Sequence, residues 1–242
     1  LDSPLIALTP GEYNHTIPDL FGLSEDLSEW PALPNEWSNN EPIWPWPFAP
    51  EQGLAGFDGM AEGQALSLFQ VESNQQAANH YAPYALVTAP MNTCQMTSTT
   101  DASSENSCET KALVNFAQRA WRRPLNQNEL ERLVLAWQSN LEATSMDAAV
   151  VLSISSILQS PAFLYRIEYG DQSRTKNGGA PLTSWEMASR LSYFLWDSMP
   201  DNELFRAAEN DELRTPEQVR KQAERMLFDP GSRKMLHHFH HQ

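Results

Sequence analysis

At four candidate helix starts along this chain a side chain able to cap a helix stands three residues before a carboxylate or an amide. The pairs are Thr9 with Glu12, Asn126 with Glu129, Thr183 with Glu186, and Thr215 with Gln218. In such a pair the first side chain accepts a backbone N–H that a helix start leaves without a partner, and the second reaches back to the N–H of the first. Proline follows the cap at Pro10 and Pro216, where its fixed φ and missing N–H suit the first helical position. Ser198-Met199-Pro200-Asp201 and Asp229-Pro230 are related starts. Apolar stripes at spacings of three and four follow: Leu113, Phe116, Ala117, Ala120 and Trp121; Leu130, Leu133, Val134, Trp137 and Leu141; Met187, Leu191, Phe194 and Leu195. Residues 146–158 are apolar nearly all round, which predicts a central buried helix whose Ser153, Ser155 and Ser156 bond to their own backbone. Strand signals are weak throughout. The fold class is therefore all-α, a multi-helix bundle with a long acidic Trp/Pro-rich loop near the N-terminus. Val151, Ile154, Leu158, Leu191, Phe194 and Leu195 are expected in its core, from two helices packed together.

The loop is the one break in the helical pattern. Between Trp30 and Pro50 lie six prolines and four of the eight tryptophans. Proline at that density forbids helix and sheet ladders, so the segment is an extended or turning loop. It is too aromatic for a flexible linker. Its tryptophans either pack the loop onto helices or present flat rings to a ligand such as a glycan. Trp44 reads as an anchor, Trp46 is left open between the two roles, and both are the candidate ligand platform.

Charge divides the chain. Residues 1–110 hold 15 acidic groups and no lysine or arginine, the first basic residue being Lys111. The net charge of −15 argues against nucleic acid as a partner. It suits a solvated acidic surface or a face toward a cationic partner. The split in charge suggests two parts, the acidic one folding against the neutral one or facing a cationic partner. The chain as a whole is read as three segments, an acidic helical part with the loop over 1–92, a central helical part over 93–176 and a C-terminal helical part over 177–242, packed as one unit.

Cys94 and Cys108 bracket a polar run with nothing else apolar enough to hold it. A disulfide between them, with two free thiols as the alternative, is expected to close that run, removing unfolded-state entropy worth roughly 3 kcal/mol, and points to an exported, oxidising location, periplasmic or extracellular. No apolar run approaches the length of a membrane span. The chain starts at Leu1 without methionine or visible signal peptide, and reads as a processed or excised product.

Chemical motifs are sparse. There is no glycine-rich phosphate loop, no GxSxG, no HExxH and no CxxCH. In the terminal HHFHHQ, His237 and His241 share a helical face and are a candidate metal pair, although histidines also suit a helix C-terminus. Arg166 and Arg190 lie in apolar surroundings and are expected to pair with acids such as Glu168 or Glu186. Their functional alternative is contact with an anion, a substrate carboxylate or a haem propionate.

Three stretches together resemble a known family. LTPGEYNHTIPDLFG (8–22), FAQRAWRRPLNQNELERL (116–133) with ILQSPAFLYRIEYG (157–170), and LTSWEMASRLSYFLWDSMPDNEL (182–204) with RMLFDPGSRKMLHHFHHQ (225–242) are similar to three consecutive domains of unknown function. These occur in planctomycete-type cytochrome c-associated exported proteins. The resemblance implies a helical scaffold for electron transfer or oxidative chemistry, with polysaccharide as a candidate substrate. Haem c is expected in a following module or partner chain and none is covalently bound in this segment. The alternative is a carbohydrate- or protein-binding or structural module without catalytic activity. Ile17-Pro18-Asp19 stands where the family commonly has an arginine before the aspartate, and no catalytic residue is carried over.

Overall fold

A computed structural model describes residues 5–38, 41–49, 68–88, 94, 107–175 and 179–232. Helix accounts for 65% of it, and the sheet has only two strands. The described residues fall into two compact units. One contains 5–16, 49 and 164–232; the other contains 17–38, 41–48, 68–88, 94 and 107–163.

All four pairs read from the sequence open helices. Thr9 and Glu12 exchange hydrogen bonds at the start of α1 (Pro10–Phe21). Asn126 and Glu129 do so at α4 (Gln127–Ala143), Thr183 and Glu186 at α7 (Ser184–Trp196), and Thr215 and Gln218 at α9 (Pro216–Leu227). The end of α1 is equally local. Gly22 takes a positive φ of 69°, which costs a residue without Cβ nothing, and Leu23 N–H turns back to the carbonyl of Pro18.

In the second unit, α5 (Met146–Leu158) packs against α2 (Leu68–Tyr81), the 3-10 segment Ala82–Leu86, α3 (Cys108–Ala120) and α4. Val150, Ile154, Ile157 and Leu158 are fully buried, together with Leu113 and Phe116 of α3 and Trp137 of α4. Phe21 meets Phe116 edge-on, with ring centres 5.2 Å apart. The serines of α5 depart from expectation. Ser156 Oγ donates to Leu152 O of its own helix, but Ser155 Oγ donates to Asn79 Oδ1 at 2.6 Å and Ser153 Oγ accepts from Asn140 Nδ2 at 3.0 Å. A buried hydroxyl that finds a neighbouring helix's amide within reach satisfies two polar groups at once, whereas bonding to its own backbone satisfies one. Cys94 is joined to Cys108, the first residue of α3, so the bridge holds the chain to that helix start.

In the first unit, β1 (Ile6–Ala7) pairs antiparallel with β2 (Tyr165–Arg166), which follows the short α6 (Pro161–Leu164). Helices α7, α8 (Asn202–Glu209) and α9 build a separate core from Ala188, Leu191, Leu195, Leu204, Ala207, Ala208, Leu213 and Met226. Three expectations for the core need correction. Val151 of α5, expected inside, is only partly buried, and helices α5 and α7, expected to pack together, belong to different units. Phe194, expected inside, is 70% exposed. Its stripe is wider than the face α7 presents to α8 and α9, which runs through Ala188, Leu191 and Leu195. Phe194 lies on the shoulder of that face, seven residues after the partly buried Met187.

Truncation separates the two readings of these stripes. Ile154→Ala is expected to lower stability by about 2–5 kcal/mol, while Phe194→Ser should fall within about 0.5 kcal/mol of the parent. Urea unfolding followed by circular dichroism measures both.

Candidate functional site

The Trp/Pro-rich loop is anchored as a strap, residues 41–48, laid along one stripe of α2. That stripe is Ser73, Ala77, His80, Tyr81 and, beyond the helix end, Tyr84, all buried. Proline leaves the strap few backbone donors; those of Ile43 and Trp46 are spent on this stripe, while Phe48 N–H turns back to Trp46 O at 2.9 Å. Ile43 N–H donates to His80 Nε2 at 3.2 Å, and the Tyr81 hydroxyl donates to Ile43 O at 3.0 Å. The backbone N–H of Trp46 donates to the Tyr81 oxygen, and its indole N–H donates to Ser73 Oγ at 3.3 Å. The Trp46 ring lies 5.3 Å from His80 and 6.1 Å from Tyr81, centre to centre. Trp30 completes the cluster, edge-on to Tyr84 at 4.8 Å, with its indole N–H donating to Ser24 O. Burial pushes the phenols of Tyr81 and Tyr84 above their usual range, and holds His80 below the ordinary imidazole value.

Trp44 and Trp46 are both half-buried. Trp46 is clasped to α2 through ring contacts and hydrogen bonds, and the most deeply buried tryptophan of the loop region is Trp30. The sequence reading did not single out His80, Tyr81 or Ser73. The available signal was their spacing: Ser73, Ala77, His80, Tyr81 and Tyr84 recur at one face of a helix, with two polar members on an otherwise apolar stripe.

The two candidate arginines lie in the first unit. Arg166 Nη1 sits 3.1 Å from Glu12 Oε1, and its guanidinium lies over the Tyr193 ring at 5.1 Å. Its partner is thus Glu12, not Glu168 or Glu186. Glu12 is positioned by the cap of α1, Arg166 by β2, and the two meet because β1 and β2 pair. Beside them Thr16 Oγ1 bonds the Tyr193 hydroxyl at 3.0 Å, and His15 Nδ1 lies 3.2 Å from Asp197 Oδ2. Arg190 forms a two-pronged pair with Glu168, which raises its pKa further. An anion arriving at either arginine has to compete with a carboxylate already in place. Arg122, by contrast, is buried at a positive φ of 59° and donates to the carbonyls of Ala120, Ala162 and Phe163, closing the ends of two helices. His237 and His241 lie outside the described residues. Among the described residues no group of three His, Cys, Asp or Glu side chains is arranged to hold a metal, and no helix is long and apolar enough to cross a membrane.

Two family matches bear on the chain. Residues 108–168 match PSD5, a protein of unknown function (DUF1595), and residues 182–242 match PSD4, a protein of unknown function (DUF1592). Both are planctomycete cytochrome c-associated domains. The opening stretch 8–22 lies within neither match. No curated protein and no solved structure matches the chain.

The burial of the two ion pairs predicts different sensitivities. Side-chain exposure is 18% and 7% for Arg166 and Glu12, against 55% and 14% for Arg190 and Glu168. Arg166→Met leaves a buried carboxylate without its cation and is expected to cost about 3–5 kcal/mol. Arg190→Met should cost about 1 kcal/mol or less. Chemical denaturation at neutral pH is the measurement.

Proposed function

We propose that this chain is the helical scaffold of an exported cytochrome c-like redox protein, supporting electron transfer or oxidative chemistry, with polysaccharide as the candidate substrate. The observation that supports this reading best is the presence, in order, of two domains associated with c-type cytochromes over half of the chain. The disulfide is in keeping with an oxidising compartment. Covalent haem c needs two free thiols beside a histidine ligand, and Cys94 and Cys108 are spent on one another. The described residues therefore do not fit the group, and the haem of this proposal belongs to another module or to a partner chain. What this chain contributes is a rigid frame: capped helices, two separate cores and arginines held by carboxylates.

A second reading, a carbohydrate-binding module, is favoured by one observation. Trp44 and Trp46 stand on a stiff, proline-flanked strap and are each only half-buried. Loss of glycan retention in affinity electrophoresis on replacing Trp44, without loss of stability, would support it.

The visible spectrum of the complete gene product, purified from the periplasm or medium of its host, tests the first reading. A Soret band whose partner absorbances sharpen on reduction with dithionite is the expected result. A colourless product that also fails a haem-peroxidase stain overturns it.

A further inference from the structure

The strap is fastened to α2 through an acceptor that can be turned into a donor. Ile43 N–H donates to His80 Nε2 at 3.2 Å, which requires that nitrogen to be without a proton. The neutral ring therefore carries its hydrogen on Nδ1. Its position is central: the Trp46 ring lies on it from the strap, and the rings of Tyr81 and Tyr84 approach it at 5.1 and 6.4 Å from the helix end and the following 3-10 segment. Both phenols are kept protonated by burial, so neither offers a negative charge to an imidazolium. Where α5 packs behind α2, the polar contact between them joins two neutral groups, Ser155 of α5 and Asn79 of α2 itself. The acids of the strap and of α2 are Glu41 and Glu72; both are exposed, and Glu72 accepts from Gln76.

We propose that the strap 41–48 is a pH-gated cover, closed over the aromatic stripe of α2 while His80 is neutral and released when His80 takes up a proton. The proton comes from solvent and adds to Nε2. Two donors, the new N–H and that of Ile43, then face each other at hydrogen-bond distance, and a charged ring lies in a buried, aromatic setting. Opening relieves both at once, because it returns the imidazolium to water and frees the Ile43 amide. It also uncovers the inner faces of Trp46, Tyr81 and Tyr84. The direction follows from linkage. Burial lowers the pKa of His80 in the closed state, so closure is fully favoured above the ordinary imidazole value near 6.5 and weakens as pH falls below it. The gate therefore opens in mild acid, a range that a protein outside the cytoplasm meets. It does not depend on the haem reading above, and its test involves no cofactor.

Amide hydrogen exchange of the whole chain, stepped from pH 7.5 to 4.5 and corrected for intrinsic exchange, reads the gate directly. Protection of the Ile43 amide should fall by about tenfold per pH unit below roughly 6.5, the slope of a single coupled proton. In His80→Gln, whose amide oxygen can accept from Ile43 at every pH, protection should stay flat. His15→Gln removes the other described histidine, bonded to Asp197 in the first unit, and should leave the Ile43 profile as in the parent. Flat protection in the parent overturns the proposal, as does an acid-induced loss that persists in His80→Gln. Should circular dichroism show that this variant is unfolded, the parent alone decides by NMR. Loosening of the strap over the range in which the His80 ring titrates supports the gate, and loosening with the ring still neutral refutes it.

Discussion

Every α-helix starts with backbone donors that the helix itself cannot satisfy, and in this protein the residues recruited to satisfy them also tie the helix to its surroundings. Glu12 accepts from Thr9 N–H and pairs with Arg166 of β2. Glu129 accepts from Asn126 N–H and takes both prongs of Arg123, which hold its carboxyl below the usual range. Glu186 accepts from Thr183 N–H with one oxygen and, with the other, from the backbone N–H groups of Tyr169 and Gly170. Gln218 serves Thr215 and Arg214 in the same way. Each cap thus fixes the position of a neighbouring segment, and in the first unit Glu12 and Glu186 place β2 and the turn that follows it.

That economy explains why loops here can be placed with little regular sheet. Gly170 is an instance. Its φ of 68° suits a residue without Cβ, and a Cβ there would meet Ala180 at 2.8 Å, so the turn is close-packed as well as hydrogen-bonded to Glu186. The strap of the second unit follows the same logic with different chemistry. Prolines remove its ladder partners, and the side chains of α2 supply them instead.

The helices were legible because their signals are local. Caps lie within three residues of one another, and the apolar run 146–158 marks α5 from end to end. What was not legible depends on which element lies opposite. Ser153 and Ser155 look from sequence like serines bonded to their own helix, until Asn140 and Asn79 are brought beside them. Arg166 has acids nearer in sequence than Glu12, which only the pairing of β1 with β2 delivers. Phe194 belongs to a correct stripe but to the wrong edge of it, because the width of the buried face is set by α8 and α9. His80 carries no motif at all. It becomes a candidate only when Ile43 and Trp46 are seen lying on it.

The claim that caps double as ties is tested most directly at Glu186, replaced by alanine, with amide hydrogen exchange read at Thr183, Tyr169 and Gly170 together. The account predicts that all three lose protection, since one carboxylate serves the cap and the turn. Loss confined to Thr183, with Tyr169 and Gly170 as protected as before, would contradict it.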